Sequence, residues 1–178
     1  MGVISNQESH REQGRTPEQT DVTGRMRPIL LVEDDRVDTM TVQRALKELH
    51  VARPLVYAQH GEQALEILED TSHPLPWLIL LDLNMPRMNG MEFLSVVKKD
   101  AQLCLLPVVV LTTSRDENDK AEAFRWSVAG YMVKPVDYNQ FVETLRILDR
   151  YWTLSEQPEA ALAREHGLTP RQPIAPAV

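Results

Sequence analysis

Carboxylates, hydroxyls and one lysine stand directly after apolar runs of this chain. Residues 29–32 are followed by Glu33, Asp34 and Asp35, and residues 78–81 by Asp82. Residues 108–111 are followed by Thr112, Thr113 and Ser114, and residues 131–133 by Lys134 and Pro135. Glu33, Asp34 and Asp82, gathered at one place, would crowd like charges and raise one another's pKa unless a cation intervened. An all-oxygen ligand set suits Mg²⁺, which takes six oxygens at roughly 2.0–2.1 Å, keeps several waters and leaves room for a phosphoryl oxygen. Lys134 supplies a second positive charge, and the Thr112 hydroxyl a hydrogen bond. A carboxylate held between metal and ammonium, as Asp82 would be, is a competent nucleophile. Phosphoryl transfer asks little more than positioning and charge neutralisation. The set therefore suffices to form an aspartyl phosphate on Asp82. Taken singly these residues are weak signals, because an acid after a strand is usually a helix cap and a Lys-Pro pair usually a loop. Their coincidence at four strand ends carries the reading.

The elements that must position them alternate. Apolar runs occur at 29–32, 55–58, 77–81, 107–111 and 131–133. Three are continuous rather than alternating, as strands buried on both faces of a parallel sheet should be. Between them lie helical patterns. Val37, Met40, Thr41, Leu46 and Leu49 carry the first, and Ala64, Leu65, Ile67 and Leu68 the second. Met91, Phe93, Leu94 and Val97 carry the third, and Ala121, Ala123, Phe124 and Val128 the fourth. Phe141, Val142, Leu145, Leu148 and Trp152 carry the fifth, at close to 3.6-residue spacing. Five strand–helix units predict a doubly wound α/β domain with a five-stranded parallel sheet. Such sheets place their chemistry beyond the carboxyl ends of the strands, where the residues above stand.

The flanks differ in composition. Residues 1–26 hold few large apolar side chains, too few to offset the cost of ordering, and read as a disordered arm. Residues 153–178 form a proline-containing tail, within which 158–167 opens on Pro158 and closes on Gly167, the pattern of a short helix. With 178 residues, and about 150 per domain, one domain lies between them, at 27–152. The net charge of −7 argues against a nucleic-acid surface, and the single cysteine, Cys104, excludes an intrachain disulfide. The longest apolar run, residues 77–81, falls far short of the ~20 residues of a membrane helix. No secretory leader pattern is present, so a cytoplasmic protein without nucleic-acid or membrane partners is expected.

Residues 27–152 resemble the receiver domain of bacterial response regulators, which share the chemotaxis-regulator-like, flavodoxin-like (βα)5 fold. The matching strings are Leu30-Leu-Val-Glu-Asp-Asp35, Leu80-Leu-Asp-Leu-Asn-Met-Pro86 with Asn89-Gly90, Val110-Leu-Thr112 and Ala129-Gly-Tyr-Met-Val-Lys-Pro135. The resemblance implies strand order 2-1-3-4-5 and a phosphoacceptor at Asp82. It implies Mg²⁺ held by Asp34, Asp82 and the Asn84 backbone carbonyl, with Glu33 reaching it through water. Lys134 would pair with the phosphate, and its bond to Pro135 would be cis. Thr112 and Tyr131 would form a switch, the hydroxyl moving to the phosphate and the ring turning inward. Asn84 and Ser114, at positions that tune dephosphorylation in this family, supply no general base, so a moderately long-lived phosphate is expected. The donor would be a sensor histidine kinase.

The segments Leu111-Thr-Thr-Ser114 and Leu148-Asp-Arg-Tyr-Trp152 further resemble stand-alone receivers that accompany bacterial phytochromes. The residues after Trp152 are too few for an output domain. The readout is then expected to be a protein partner, a phosphorelay or a change of assembly, with a homodimer through the helix 4–strand 5–helix 5 face, using Leu145, Leu148, Tyr151 and Trp152 on the fifth helix, or through the C-terminal extension. Two rivals remain. A pseudo-receiver would serve only as an interaction module, but has no need of Asp34, Asp82, Thr112 and Lys134 together. A haloacid-dehalogenase-type phosphatase would need a second aspartate two residues after its nucleophile, where this chain has Asn84. A phosphoacceptor rather than an enzyme is expected.

Overall fold

The computed structural model describes residues 26–155. The arm and tail expected at 1–26 and 153–178 therefore lie almost entirely outside the described residues, as does the short helix expected at 158–167. The strands are β1 (Ile29–Val32), β2 (Leu55–Ala58), β3 (Leu78–Leu81), β4 (Val108–Thr112) and β5 (Gly130–Val133). The helices are α1 (Arg36–Glu48), α2 (Gly61–Glu69), α3 (Gly90–Val97), α4 (Glu117–Arg125) and α5 (Tyr138–Leu154). All strand pairs are parallel, in the order β2-β1-β3-β4-β5, as expected.

Strand alternation divides the core into two layers. Leu30, Val32, Ile79, Leu81, Val108 and Val110 point to the face covered by α2, α3 and α4. Ile29, Leu31, Leu78, Leu80, Val109 and Leu111 point to the face covered by α1 and α5. Every residue of β1, β3 and β4 is buried, which is why these runs are continuous in apolar residues. The outer strands β2 and β5 are only partly covered.

Helix starts follow from local chemistry. Asp35, Asn89, Asp116 and Asp137 cap α1, α3, α4 and α5, each side chain accepting a backbone N–H of the first turn. Asn89 and Glu92 form a reciprocal capping box at α3.

Two helices bury faces that match those expected only in part. In α1 the core side is Thr39, Val42, Ala45 and Leu46, whereas Val37 and Met40 are exposed. Val42 and Leu46 pack beside Ala45 in the core layer, with Leu49 partly buried against it. In α4 only Ala123 is buried, and Phe124 lies on the open side.

Candidate functional site

The sheet delivers its chemistry by continuing its ladder one residue past the strands. Glu33 N–H donates to the Ala58 carbonyl at 2.9 Å, and Asp82 N–H to the Val32 carbonyl at 2.9 Å. Lys134 N–H donates to the Thr112 carbonyl at 2.8 Å. Backbone bonds thus fix the Cα positions of three of the polar residues independently of their side-chain interactions. The Asp82 loop is also closed from below: Gly90 N–H donates to the Leu83 carbonyl at 3.0 Å. A Cβ at Gly90 would lie 2.4 Å from the Asp82 carbonyl oxygen and 2.7 Å from the Leu83 Cα, so only glycine fits this approach of α3 to the loop.

Carboxylate oxygens of Glu33, Asp34 and Asp82 lie within 4.8 Å of one another. Glu33 and Asp82 are buried, whereas Asp34 is exposed. Asp82 Oδ1 accepts the Leu83 N–H at 2.7 Å, and its Oδ2 lies 3.7 Å from Lys134 Nζ. Lys134 Nζ sits closer to two other carboxylates, Glu33 Oε2 at 2.5 Å and Asp38 Oδ2 at 2.6 Å. Burial pushes the Glu33 carboxyl up to about 7, against the hydrogen bond and charge of Lys134, with Asp82 adding to the rise. Burial works to lower the Lys134 pKa, but the hydrogen bonds to Asp38 and Glu33 outweigh it and the ammonium is held above its ordinary range. One ammonium among four carboxylates leaves the site short of positive charge. An all-oxygen cluster in that condition fits a hard divalent cation such as Mg²⁺.

Thr112 is fully buried, and its Oγ1 accepts the Ser114 N–H at 3.2 Å. Tyr131 packs at the edge of the inner core, its hydroxyl donating to the Ser114 carbonyl at 3.2 Å. Thr112 and Tyr131 therefore contact the same β4–α4 loop. Ser114 also donates to Asp119 Oδ2 at 2.6 Å, which ties that loop to α4. Asn84 is exposed, two residues past Asp82.

Two expectations need correction. The Lys134–Pro135 bond is not cis, since the described residues contain no cis peptide bond. Trans is the lower-energy isomer of an X-Pro bond, and nothing local in the sequence dictates the other. Leu145 and Leu148 do not form a dimer face: both are buried, within the core under α5. Trp152 likewise packs partly against that core, while Tyr151 is exposed and meets the Trp152 ring edge-on at 5.1 Å. The apolar residues that α5 leaves uncovered are Ile147, Tyr151 and Leu154.

Asp38 was not among the residues singled out from the sequence. It occupies the third position of α1, where an acid normally reaches back to the cap N–H. Here the Asp35 N–H is taken by Glu33 Oε1 at 3.1 Å, and Asp38 turns to Lys134. The acidic spacing Asp34, Asp35, Asp38 was the available signal, but it also describes an ordinary helix start.

The model of the response regulator receiver domain matches residues 29–146. The chain belongs to this family. It is 34% identical over 128 residues to the response regulator Rcp1 of Synechocystis, covering 70% of this chain and 87% of that one. It is 35% identical over 127 residues to a probable methanogenesis regulatory protein, FilR2, of Methanothrix harundinacea, covering 70% and 82%. Among solved structures, the Mn²⁺-bound form of Rcp1 superposes with a TM-score of 0.68 at 34% identity, covering 74% of this chain and 99% of that one. The phosphorylated cyanobacterial phytochrome response regulator RcpA gives 0.70 at 32% identity, covering 74% and 98%. The bacteriophytochrome response regulator RtBRR gives 0.60 at 36% identity, covering 78% and 87%. The protein is thus a two-component receiver whose relatives include regulators of phytochrome systems. No described helix is long and apolar enough to cross a membrane.

Proposed function

We propose that this receiver accepts a phosphoryl group on Asp82 from the phosphohistidine of a sensor kinase, one of phytochrome type, in the cytoplasm. The carrying observation is that Asp82 Oδ2 lies 3.7 Å from a buried ammonium and within 4.8 Å of the carboxylates of Glu33 and Asp34. In the transfer an Asp82 carboxylate oxygen attacks phosphorus, the P–N bond breaks, and the imidazole nitrogen leaves with the electron pair. Lys134 neutralises the incoming oxygens, and the buried Thr112 hydroxyl offers them a hydrogen bond. Asp34, Asp82 and the Asn84 carbonyl would hold Mg²⁺, with Glu33 behind a water, and the ion would neutralise charge on the phosphoryl oxygens. The protein is a phosphoacceptor rather than a turnover enzyme.

The output is a switch. Drawing the Thr112 hydroxyl to the phosphoryl group frees the Ser114 N–H, and Tyr131 leaves the Ser114 carbonyl for the space opened beneath it. Both movements act on the β4–α4 loop, so the surface of α4, β5 and α5 carries the signal. The uncovered residues Ile147, Tyr151 and Leu154 of α5 give a homodimer its apolar contact. The test is incubation with acetyl phosphate, with Mg²⁺ or with EDTA, read by intact mass. Gain of one phosphoryl group with Mg²⁺ alone is expected. No gain, or equal gain in EDTA, refutes the reading.

A further inference from the structure

The resting site contains a competitor for its own phosphate-binding cation. Lys134 Nζ is 2.6 Å from Asp38 Oδ2 and 2.5 Å from Glu33 Oε2, but 3.7 Å from Asp82 Oδ2. The ammonium is therefore parked one contact away from the acceptor. The two partners that hold it differ in kind. The Glu33 side chain is 2% exposed and belongs to the buried acidic cluster. The Asp38 side chain is 37% exposed, and it stands on the first turn of α1 outside that cluster. Released from Lys134, Asp38 would be taken up by water at little cost, whereas Glu33 would be left ionised in a poorly solvated place.

A phosphoryl group on Asp82 adds strong acceptor oxygens beside this lysine. Two of the three ammonium N–H donors are committed to Glu33 and Asp38, and both partners hold Nζ away from Asp82, so moving it onto those oxygens must loosen an existing contact. The exposed partner is the one that yields. We propose that Asp38 is a positioning residue, which holds Lys134 off Asp82 in the resting state and sets how tightly the lysine engages a phosphoryl group. This inference rests on the receiver reading above and extends it to a residue outside the acceptor cluster. Asp38 does not touch the phosphoryl group; it acts through Lys134.

Equilibrium binding of beryllium fluoride, a tetrahedral mimic of the phosphoryl group, measures that engagement. Saturating Mg²⁺ and calorimetric detection keep the readout independent of turnover. Asp38→Asn removes the competing charge and keeps the shape, and should tighten binding roughly threefold to fivefold, the range of a partly exposed ion pair. Asp38→Glu, which keeps a carboxylate, should stay near the wild type. In a Lys134→Met background, Asp38→Asn should change nothing. Tighter binding is a gain, which damage to folding does not produce. Unchanged or weaker binding in Asp38→Asn overturns the proposal, as does an equal gain when Lys134 is absent. If the wild type neither binds the mimic nor takes a phosphoryl group from acetyl phosphate, the receiver reading itself falls, and the role of Asp38 with it.

Discussion

Gly90→Ala sets two effects of opposite sign against each other. Alanine is favoured over glycine in a helix by about 1 kcal/mol, and Gly90 is the first residue of α3. On propensity alone the substitution would stabilise. The geometry opposes it. The added methyl would lie 2.4 Å from the Asp82 carbonyl oxygen, 2.7 Å from the Leu83 Cα and 3.0 Å from Leu83 Cδ2. The first two atoms are backbone, in a loop fixed by the Asp82 and Gly90 N–H bonds, and cannot rotate away. Relief requires moving α3 or the loop by most of an ångström. Overpacking of this kind costs about 1–3 kcal/mol, and the backbone contact places it at the upper end. The net expectation is a loss of about 2 kcal/mol in urea unfolding. The melting temperature should fall by roughly 4–8 °C, with the slope of the urea transition unchanged. Because the loop carries Asp82, acceptance of a phosphoryl group should also slow under conditions where the variant is fully folded. A variant as stable as the wild type would refute the claim that this close approach fixes the acceptor loop.

Other outcomes follow from the same geometry. Glu33 has a folded pKa of about 7 against an ordinary 4.5, so the native state binds its proton more tightly than the unfolded chain. Its ionisation therefore costs stability as pH rises from 4.5 to about 7, by at most about 3 kcal/mol, and the difference levels off above that window. Urea unfolding in EDTA should show the wild type losing stability relative to Glu33→Gln across that range; parallel profiles would contradict the burial argument. Asn89→Ala removes one half of the capping box at α3 and should cost about 1 kcal/mol by the same assay, while Asn89→Asp should cost little. Replacing Tyr151 and Leu154 together by serine should lower the association constant of the proposed homodimer in sedimentation at least tenfold, with little change in monomer stability, because both side chains are exposed. An unchanged sedimentation profile would remove this α5 stripe as the dimer contact.

Much of the fold was legible because three strands are covered on both sides. The continuous runs at 29–32, 78–81 and 108–111 admit almost no other element, and the polar residues directly after them mark the carboxyl edge of the sheet. Asp34, Asp82 and Lys134 were readable for that reason, and the structure brings Asp82 and Lys134 together across β3 and β5. The helices were less legible, since their rotation is set by packing. Val37 and Met40 have the pattern of core residues and lie outside, whereas Thr39, Val42 and Ala45 join Leu46 in the packing. On α5, the apolar pattern of the sequence joins Leu145 and Leu148 to Tyr151 in one stripe. At 3.6 residues per turn, Ile147, Tyr151 and Leu154 fall on roughly the opposite side of the helix from Leu145, and burial divides them accordingly. The role of Asp38 is not legible in the sequence because its spacing is also that of a helix cap. Only the distance to Lys134, across 96 residues of sequence, distinguishes the two roles. The isomer of the Lys134–Pro135 bond is a tertiary outcome that no local pattern records.

Asp82 is the proposed acceptor. Its most direct test is mass spectrometry of the wild type and Asp82→Asn after incubation with acetyl phosphate and Mg²⁺, with peptide mapping of any modified residue. The account predicts one added phosphoryl group in the wild type, mapped to residue 82, and none in the variant. Equal labelling of both proteins, or a phosphoryl group mapped to any other residue, would contradict it.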